Sequence, residues 1–254
     1  VKRSRRLVVA GLGISGAVLM LTLLALPHGF LIGPWHHRIR RATPSEDELI
    51  ARLGAALYSQ GYEELIVRDF FDDAWRGVFV DVGSGHYRDD SNTYFLEHHR
   101  SWHGVAVDAN VEYAAGYARF RPRTRFINAF VSDHAGAVAD FQIAQNPVFS
   151  SGARALPPDA VVRRVKVPTA TLDQILAAEH VRNIDFLSID VEGAELAVLQ
   201  GLDLRRYRPT LICIEIDPAA RDRIFEHLHA AGYRELDAYH ALNEWNAYFT
   251  PTAP

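Results

Sequence analysis

Sulfur is nearly absent from this 254-residue chain, which has one cysteine, Cys213, and one methionine, Met20. A single thiol excludes an internal disulfide and a cysteine-rich metal cluster. Cys213 lies within the apolar run Leu211-Ile212-Cys213-Ile214 and reads as a core residue. No internal repeat is evident, and no acidic residue precedes Glu46. Beyond residue 44 the balance reverses, to 20 basic against 31 acidic residues, and this excludes a body that binds nucleic acid by its net charge. With 48% apolar residues the chain is long enough for one sizeable core, so one soluble domain with an appendage is expected.

The appendage is the N-terminus, where Lys2, Arg3, Arg5 and Arg6 precede an uncharged stretch from Leu7 to Leu26. Twenty helical residues span roughly 30 Å, the thickness of a bilayer core. Residues 1–41 are therefore predicted to be a basic segment and a single membrane-spanning helix, and residues 42–254 the folded domain. A cleavable export signal is the alternative, but no small-x-small site follows Leu26. Gly11, Gly13 and Gly16 match the GxGxxG pattern of dinucleotide sites, yet Pro27, Gly29 and Pro34 follow, and the acid such sites need about 20 residues on is missing. Arg38, Arg40 and Arg41 nearly balance the basic residues before the span, so charge does not set its orientation.

Ser45 and Glu48 form a capping-box pattern, and Leu49, Ile50, Leu53, Ala56 and Leu57 recur at helical spacing, predicting a helix that ends near Gly61 and a second over 63–74. Short apolar runs at 78–82, 104–108, 125–131, 184–190 and 210–216 then alternate with helical patterns at 92–100, 111–118, 171–180, 194–200 and 218–231. This alternation predicts an α/β fold, a parallel sheet covered by helices on both faces. Two further runs, 138–143 and 161–167, predict a hairpin inserted at about 137–167 that shapes a substrate mouth.

The site is expected in the first of these turns, where the strand Val78-Phe79-Val80-Asp81-Val82 runs into Gly83-Ser84-Gly85-His86-Tyr87-Arg88. Open parallel sheets bind ligands beyond the carboxyl ends of their strands. Asp81 lies in the first run, Asp108 ends the second, Asp133 follows the third and Asp190 ends the fourth. Asp108, one strand over from the glycine loop, is placed to accept both hydroxyls of a ribose. A dinucleotide pyrophosphate wants a third glycine, which the loop lacks, and Asp89 and Asp90 would repel it. They would not repel a sulfonium cation. S-adenosylmethionine is therefore the expected cofactor, with its carboxylate on backbone N–H groups of the loop or of the helix starting near Asn92.

The chain resembles the FkbM family of S-adenosylmethionine-dependent methyltransferases through three segments, which are Phe79 to Gly85, Ser91-Asn92-Thr93-Tyr94, and Phe186 to Glu195 followed by Leu199-Gln200-Gly201. The most specific piece is Asp190-Val191-Glu192-Gly193-Ala194-Glu195. The resemblance implies the Rossmann-like class I methyltransferase sheet, mostly parallel, with seven strands and an antiparallel last strand. Runs 233–238 and 246–249 would supply the final two strands. It also implies O-methyl transfer to a hydroxyl of a sugar, lipid or polyketide-type acceptor. Cofactor binding is carried onto Asp81, Gly83, Ser84, Gly85, Asn92, Asp108 and Asp133.

The candidate catalytic residues are Asp190, Glu192 and His86. Asp190 and Glu192 share a face if the strand continues through both, and either could orient or deprotonate a hydroxyl. His86 is in the cofactor loop and titrates near neutrality. Glu195 is explained by the dipole of the helix it begins. No metal is expected. His98, His99 and His103 are dense but lack a completing ligand, and Asp190 with Glu215 and Asp217 is a remote magnesium set. Two functions follow. The first is a membrane-tethered methyltransferase facing the cytoplasm, where the cofactor is made. The second is a noncatalytic tethered module that keeps the fold for binding.

Overall fold

A computed structural model describes residues 44–253, so the predicted span at 7–26 and the basic residues flanking it lie outside the described part. Among the described residues no helix is long and apolar enough to cross a membrane.

Both halves of the capping box form, with Glu48 N donating to Ser45 Oγ at 3.2 Å and Ser45 N to Glu48 Oε2 at 2.9 Å, opening α1 (Glu46–Leu53). This helix ends well before Gly61, because Gly54 takes φ 89° and stops it. The next helix, α2 (Glu63–Phe70), also ends short of Ala74, since Asp72, Asp73 and Arg76 all adopt positive φ. Arg68 and Arg100 both pair with Asp73 and hold that turn.

Beyond it lie β1 (Val78–Val82), α3 (Tyr94–Arg100), β2 (His103–Asp108), α4 (Ala114–Phe120), β3 (Thr124–Asn128) and β4 (Phe130–Val131). There follow β5 (Val138–Ala144), β6 (Val161–Ala170), α5 (Leu172–Ala178), β7 (Phe186–Ile189), α6 (Glu195–Gln200) and α7 (Leu204–Tyr207). The chain closes with β8 (Leu211–Glu215), α8 (Arg221–Ala230), β9 (Tyr233–Glu235) and β10 (Asn246–Pro251).

Seven strands form one sheet in the order β3-β2-β1-β7-β8-β10-β9, with β10 antiparallel to both neighbours and the other pairings parallel. The apolar run at 125–131 is two strands, not one. It breaks at Ala129, whose N–H bonds to Asp108 O, and Phe130 then pairs with Thr169 in a second sheet of order β4-β6-β5. The hairpin at 137–167 is thus part of a three-stranded sheet joined to the chain's main path, and it is longer than predicted because β6 runs on to Ala170.

Alternation along the strands builds a core on each face. Val80, Val82, Leu187, Ile189, Ile212 and Ile214 face a layer containing Leu172, Leu176, Val198, Leu199, Ile224 and Leu228. Phe79, Phe186, Leu211, Cys213 and Tyr248 face the other way, against Ile66, Val67, Leu96 and Trp102. Each fully buried aliphatic or aromatic side chain contributes about 1.5–3 kcal/mol. Cys213 is 1% exposed, and burial pushes its thiol well above the usual range. It is expected to resist alkylation in the native protein and to react as urea unfolds the sheet; rapid native labelling would contradict this packing.

Candidate active site

The switch point of the sheet is at β1, where chain order runs outward to β2 on one side and to β7 on the other, and the cofactor loop leaves the sheet there. Gly83 and Ser84 N–H both bond to Val107 O, at 2.8 and 3.2 Å. Gly83 has φ 80°, and a Cβ on it would collide with the carbonyl oxygen of Asp190. The glycine is therefore required by the close approach of the chain at β7's end. Gly85 has open space around it and is needed for its φ of 56°. Its N–H donates to Asp108 Oδ2 at 2.8 Å, tying the loop to the end of β2.

A cavity of about 380 Å³ opens above these strand ends. One wall is Gly83, Ser84, Gly85 and Asp108, continued by Asn110 and Tyr113. Asp190 and Glu192 stand at the β7 end, and Phe130, Phe141 and the 146–150 segment of the second sheet complete the enclosure. The hairpin thus borders the cavity as a substrate mouth would. Burial raises the Asp108 carboxyl to about 6, against the stabilising N–H groups of Asn110 and Gly85. Each of its oxygens accepts one backbone bond and retains a lone pair for a hydroxyl donor. Ser84 Oγ is buried with no hydrogen-bond partner among the described residues.

The lining includes no lysine or arginine among the described residues, while Asp89, Asp90, Asp108, Asp190 and Glu192 all face it. Such a cavity suits a cationic sulfonium and disfavours a pyrophosphate.

A profile of the methyltransferase FkbM domain matches residues 81–235. The chain belongs to the FkbM methyltransferase family. None of the curated proteins matches it. Among solved structures it is similar to 1,6-didemethyltoxoflavin-N1-methyltransferase of Burkholderia thailandensis, crystallised with S-adenosylhomocysteine, at 16% identity over 75% of this chain and 77% of that one, TM-score 0.38. Precorrin-6y C5,15-methyltransferase of Geobacter metallireducens is 11% identical over 68% and 71%, TM-score 0.39. A TehB-like S-adenosylmethionine-dependent methyltransferase of Corynebacterium glutamicum is 12% identical over 80% and 92%, TM-score 0.40.

Within the FkbM domain, strand alternation sends Asp81 to the face opposite Val80 and Val82, so it does not line the cavity. It is 3% exposed and accepts from Thr93 Oγ1 at 2.9 Å, and burial raises its carboxyl. Asn92 likewise turns to that face, its Nδ2 donating to Ser188 Oγ at 3.0 Å. Asp133 lies outside the cavity, half exposed and paired with His134 at 2.6 Å. The sequence carried cofactor contact onto all three. Asp81 and Asn92 instead support the loop from below.

Their support centres on Arg121, whose side chain is wholly buried. It pairs with Glu97 and donates to Tyr87 O at 2.9 Å, Ser91 Oγ at 3.4 Å and Thr93 Oγ1 at 3.0 Å. Removing one partner of a buried ion pair strands the other. Arg121→Ala is expected to cost about 3–5 kcal/mol of stability, read from urea unfolding. A loss below about 1 kcal/mol would show that the pair is solvated.

The strand does not continue through Asp190 and Glu192. β7 ends at Ile189, and Glu192 (φ 55°) and Gly193 (φ 106°) form a turn. Glu195, fully buried, holds that turn by accepting from Gly193 N at 2.8 Å and Val191 N at 3.3 Å, a role beyond its place at the helix dipole. The turn still brings Asp190 and Glu192 together, with Glu215, their carboxylate oxygens lying within 4.8 Å of one another. Asp217 stands apart as a cap for Ala219 N–H. This all-oxygen set suits a hard cation, and protons shared among the carboxyls relieve the same repulsion.

Burial and Glu215 raise Asp190 well above the usual range, and burial takes Glu215 to about 7. Glu192 is also raised by burial, opposed by its ion pair with Arg154. His86 lines the cavity, with its Nδ1 3.0 Å from Asp89 N and 3.3 Å from Asp89 Oδ2. Sequence reading missed Asn110, Tyr113 and Gln60 in the lining. Asn110 had a signal, as an asparagine capping the short helical turn that follows it.

Proposed function

We propose that this FkbM methyltransferase transfers the methyl group to a hydroxyl oxygen of a sugar, lipid or polyketide-type small molecule, with Asp190 as the base. The supporting observation is the position of Asp190, which lines the same cavity as the glycine loop and Asp108 and has a carboxyl raised by burial and by Glu215. A raised pKa makes a stronger base near neutral pH. When bound, S-adenosylmethionine supplies an electrophilic methyl on a sulfonium. Asp108 would accept from the ribose hydroxyls, and Ser84 offers an unpartnered buried hydroxyl to the same ligand. Asp190 would take the proton of the acceptor hydroxyl as its oxygen bonded to the methyl carbon and the sulfur–carbon bond broke to release S-adenosylhomocysteine, and Arg154 holds Glu192 as a fixed carboxylate beside it. Holding the oxygen in line supplies most of the rate.

In the cell we place the domain on the cytoplasmic side of a membrane, tethered through the uncharged stretch from Leu7 to Leu26. A reporter fused after residue 254 that is active only outside the cytoplasm would overturn this topology.

The test of the reaction is a methylated product, sought in cell-envelope extracts incubated with labelled S-adenosylmethionine and this protein. Label on nitrogen or carbon would refute oxygen as the acceptor. With that product in hand, Asp190→Asn is expected to lower kcat by about 10²–10⁴-fold while leaving S-adenosylhomocysteine affinity unchanged. Ribose hydroxyls donate more strongly to a carboxylate, whose two oxygens both accept, than to a carboxylic acid, so the ligand favours ionised Asp108. Affinity for S-adenosylhomocysteine is expected to fall as pH drops below about 6, and Asp108→Asn to weaken binding and remove this dependence. An unchanged pH profile in the variant would refute the ribose role.

A further inference from the structure

The segment before α2 lies outside the matched family domain, yet it contributes Gln60 to the cavity. It is a tied strap. Tyr58 and Ser59 N–H donate to the two oxygens of Glu64, each at 2.7 Å, and Gly61 N–H donates to Glu63 Oε2 at 2.7 Å. Glu64 is fully buried and Glu63 is 4% exposed, so these anchors are fixed in the core. One end of the strap is joined to the cofactor loop, where Ser91 N–H donates to Tyr58 O at 2.9 Å. The other end is joined to the start of β10, where Asn243 Nδ2 donates to Gly61 O at 2.9 Å and Asn246 Nδ2 to Glu63 Oε1 at 2.9 Å.

Asn246 pairs with Glu215 at the end of β8, and β7 lies between β8 and β1. The strap is therefore tied at one end to the loop after β1 and at the other to the start of β10, and Gln60 between these anchors lines the cavity. Its side-chain amide makes no hydrogen bond among the described residues.

With its ribose on Asp108, a cofactor whose amino-acid end extended along the glycine loop would reach the β7 side of the cavity, since β1 lies between β2 and β7. Its ammonium finds carboxylates there, but its carboxylate enters a cavity lined by five acids and no lysine or arginine. Besides Gln60, the neutral side-chain donors of the described lining include Ser84 in the glycine loop, Tyr113, Ser150 and two asparagines. Asn110 is beside the ribose position with its Oδ1 capping Glu112 N–H, and Asn146 Oδ1 accepts from Val148 N–H on the opposite rim.

We propose that Gln60 binds the carboxylate of S-adenosylmethionine, its amide N–H₂ donating across the cavity from a strap that the family domain does not contain. This rests on cofactor binding with the ribose at Asp108. An amide serves where a cation would be drawn into an ion pair with Asp190 or Glu192.

The test is calorimetry of the full chain with two ligands, S-adenosylhomocysteine and 5′-methylthioadenosine, which keeps the nucleoside but lacks the amino-acid end. Binding of both by the wild-type chain establishes the cofactor reading whatever the variants do. Gln60→Ala is expected to weaken S-adenosylhomocysteine about tenfold, to leave 5′-methylthioadenosine unchanged and to leave Tm unchanged. Gln60→Glu, which sets a carboxylate against a carboxylate, is expected to lose more. Equal losses for both ligands, or no loss for either, would overturn the role of Gln60. Absence of S-adenosylhomocysteine binding by the wild-type chain would overturn the cofactor reading itself.

Discussion

A guanidinium with no exposed side-chain surface sits beneath the cofactor loop and ties that loop to α3 and to the chain just past α4. Arg121, just past the end of α4, pairs with Glu97 on α3 and reaches the loop at Tyr87, Ser91 and Thr93. Glu97 in turn accepts from Arg123 N–H and from Thr124 at the start of β3. Asp81 completes the set through Thr93. A charge buried this deeply is tolerable only with its partners in place. The loop that places Gly83, Ser84 and Gly85 is consequently positioned by a polar core rather than by its own stiffness.

The same division of labour runs through the site. Asp108 and Asp190 face the cavity with carboxyls raised by burial, and the residues beneath it spend their hydrogen bonds on the chain itself. Glu195 pins the turn that turns Glu192 toward Asp190, and Glu63 and Glu64 pin the strap that carries Gln60. Fixed supports of this kind let a methyltransferase hold an acceptor atom in line with little reorganisation. The second sheet adds an apolar wall through Phe130 and Phe141.

Much of the fold was legible because period-two and helical patterns are local. The runs at 78–82, 104–108, 184–190 and 210–216 became β1, β2, β7 and β8 within a residue or two at each end. Where the reading failed, a long-range pairing or a backbone angle intervened. Ala129 divides a continuous apolar run because Thr169, forty residues on, offers Phe130 a different partner. Gly54 stops a helix that side-chain spacing alone would extend.

The sequence by itself determined the α/β class, the glycine loop as the site, the family and hence the S-adenosylmethionine chemistry, since these depend on local pattern and on residues adjacent along the chain. Only the tertiary structure decided which acids face the ligand. Asp81, Asp108, Asp133 and Asp190 look alike at strand ends, but pleat direction turns Asp81 into the core and the break after β3 leaves Asp133 at the surface. Glu215 meets Asp190 because β8 lies parallel beside β7, and Gln60 meets the site on a strap that Asn243 and Asn246 tie to the start of β10. Side-chain identity is a property of the chain; whether a carboxylate meets solvent, a guanidinium or a cofactor is a property of what packs against it.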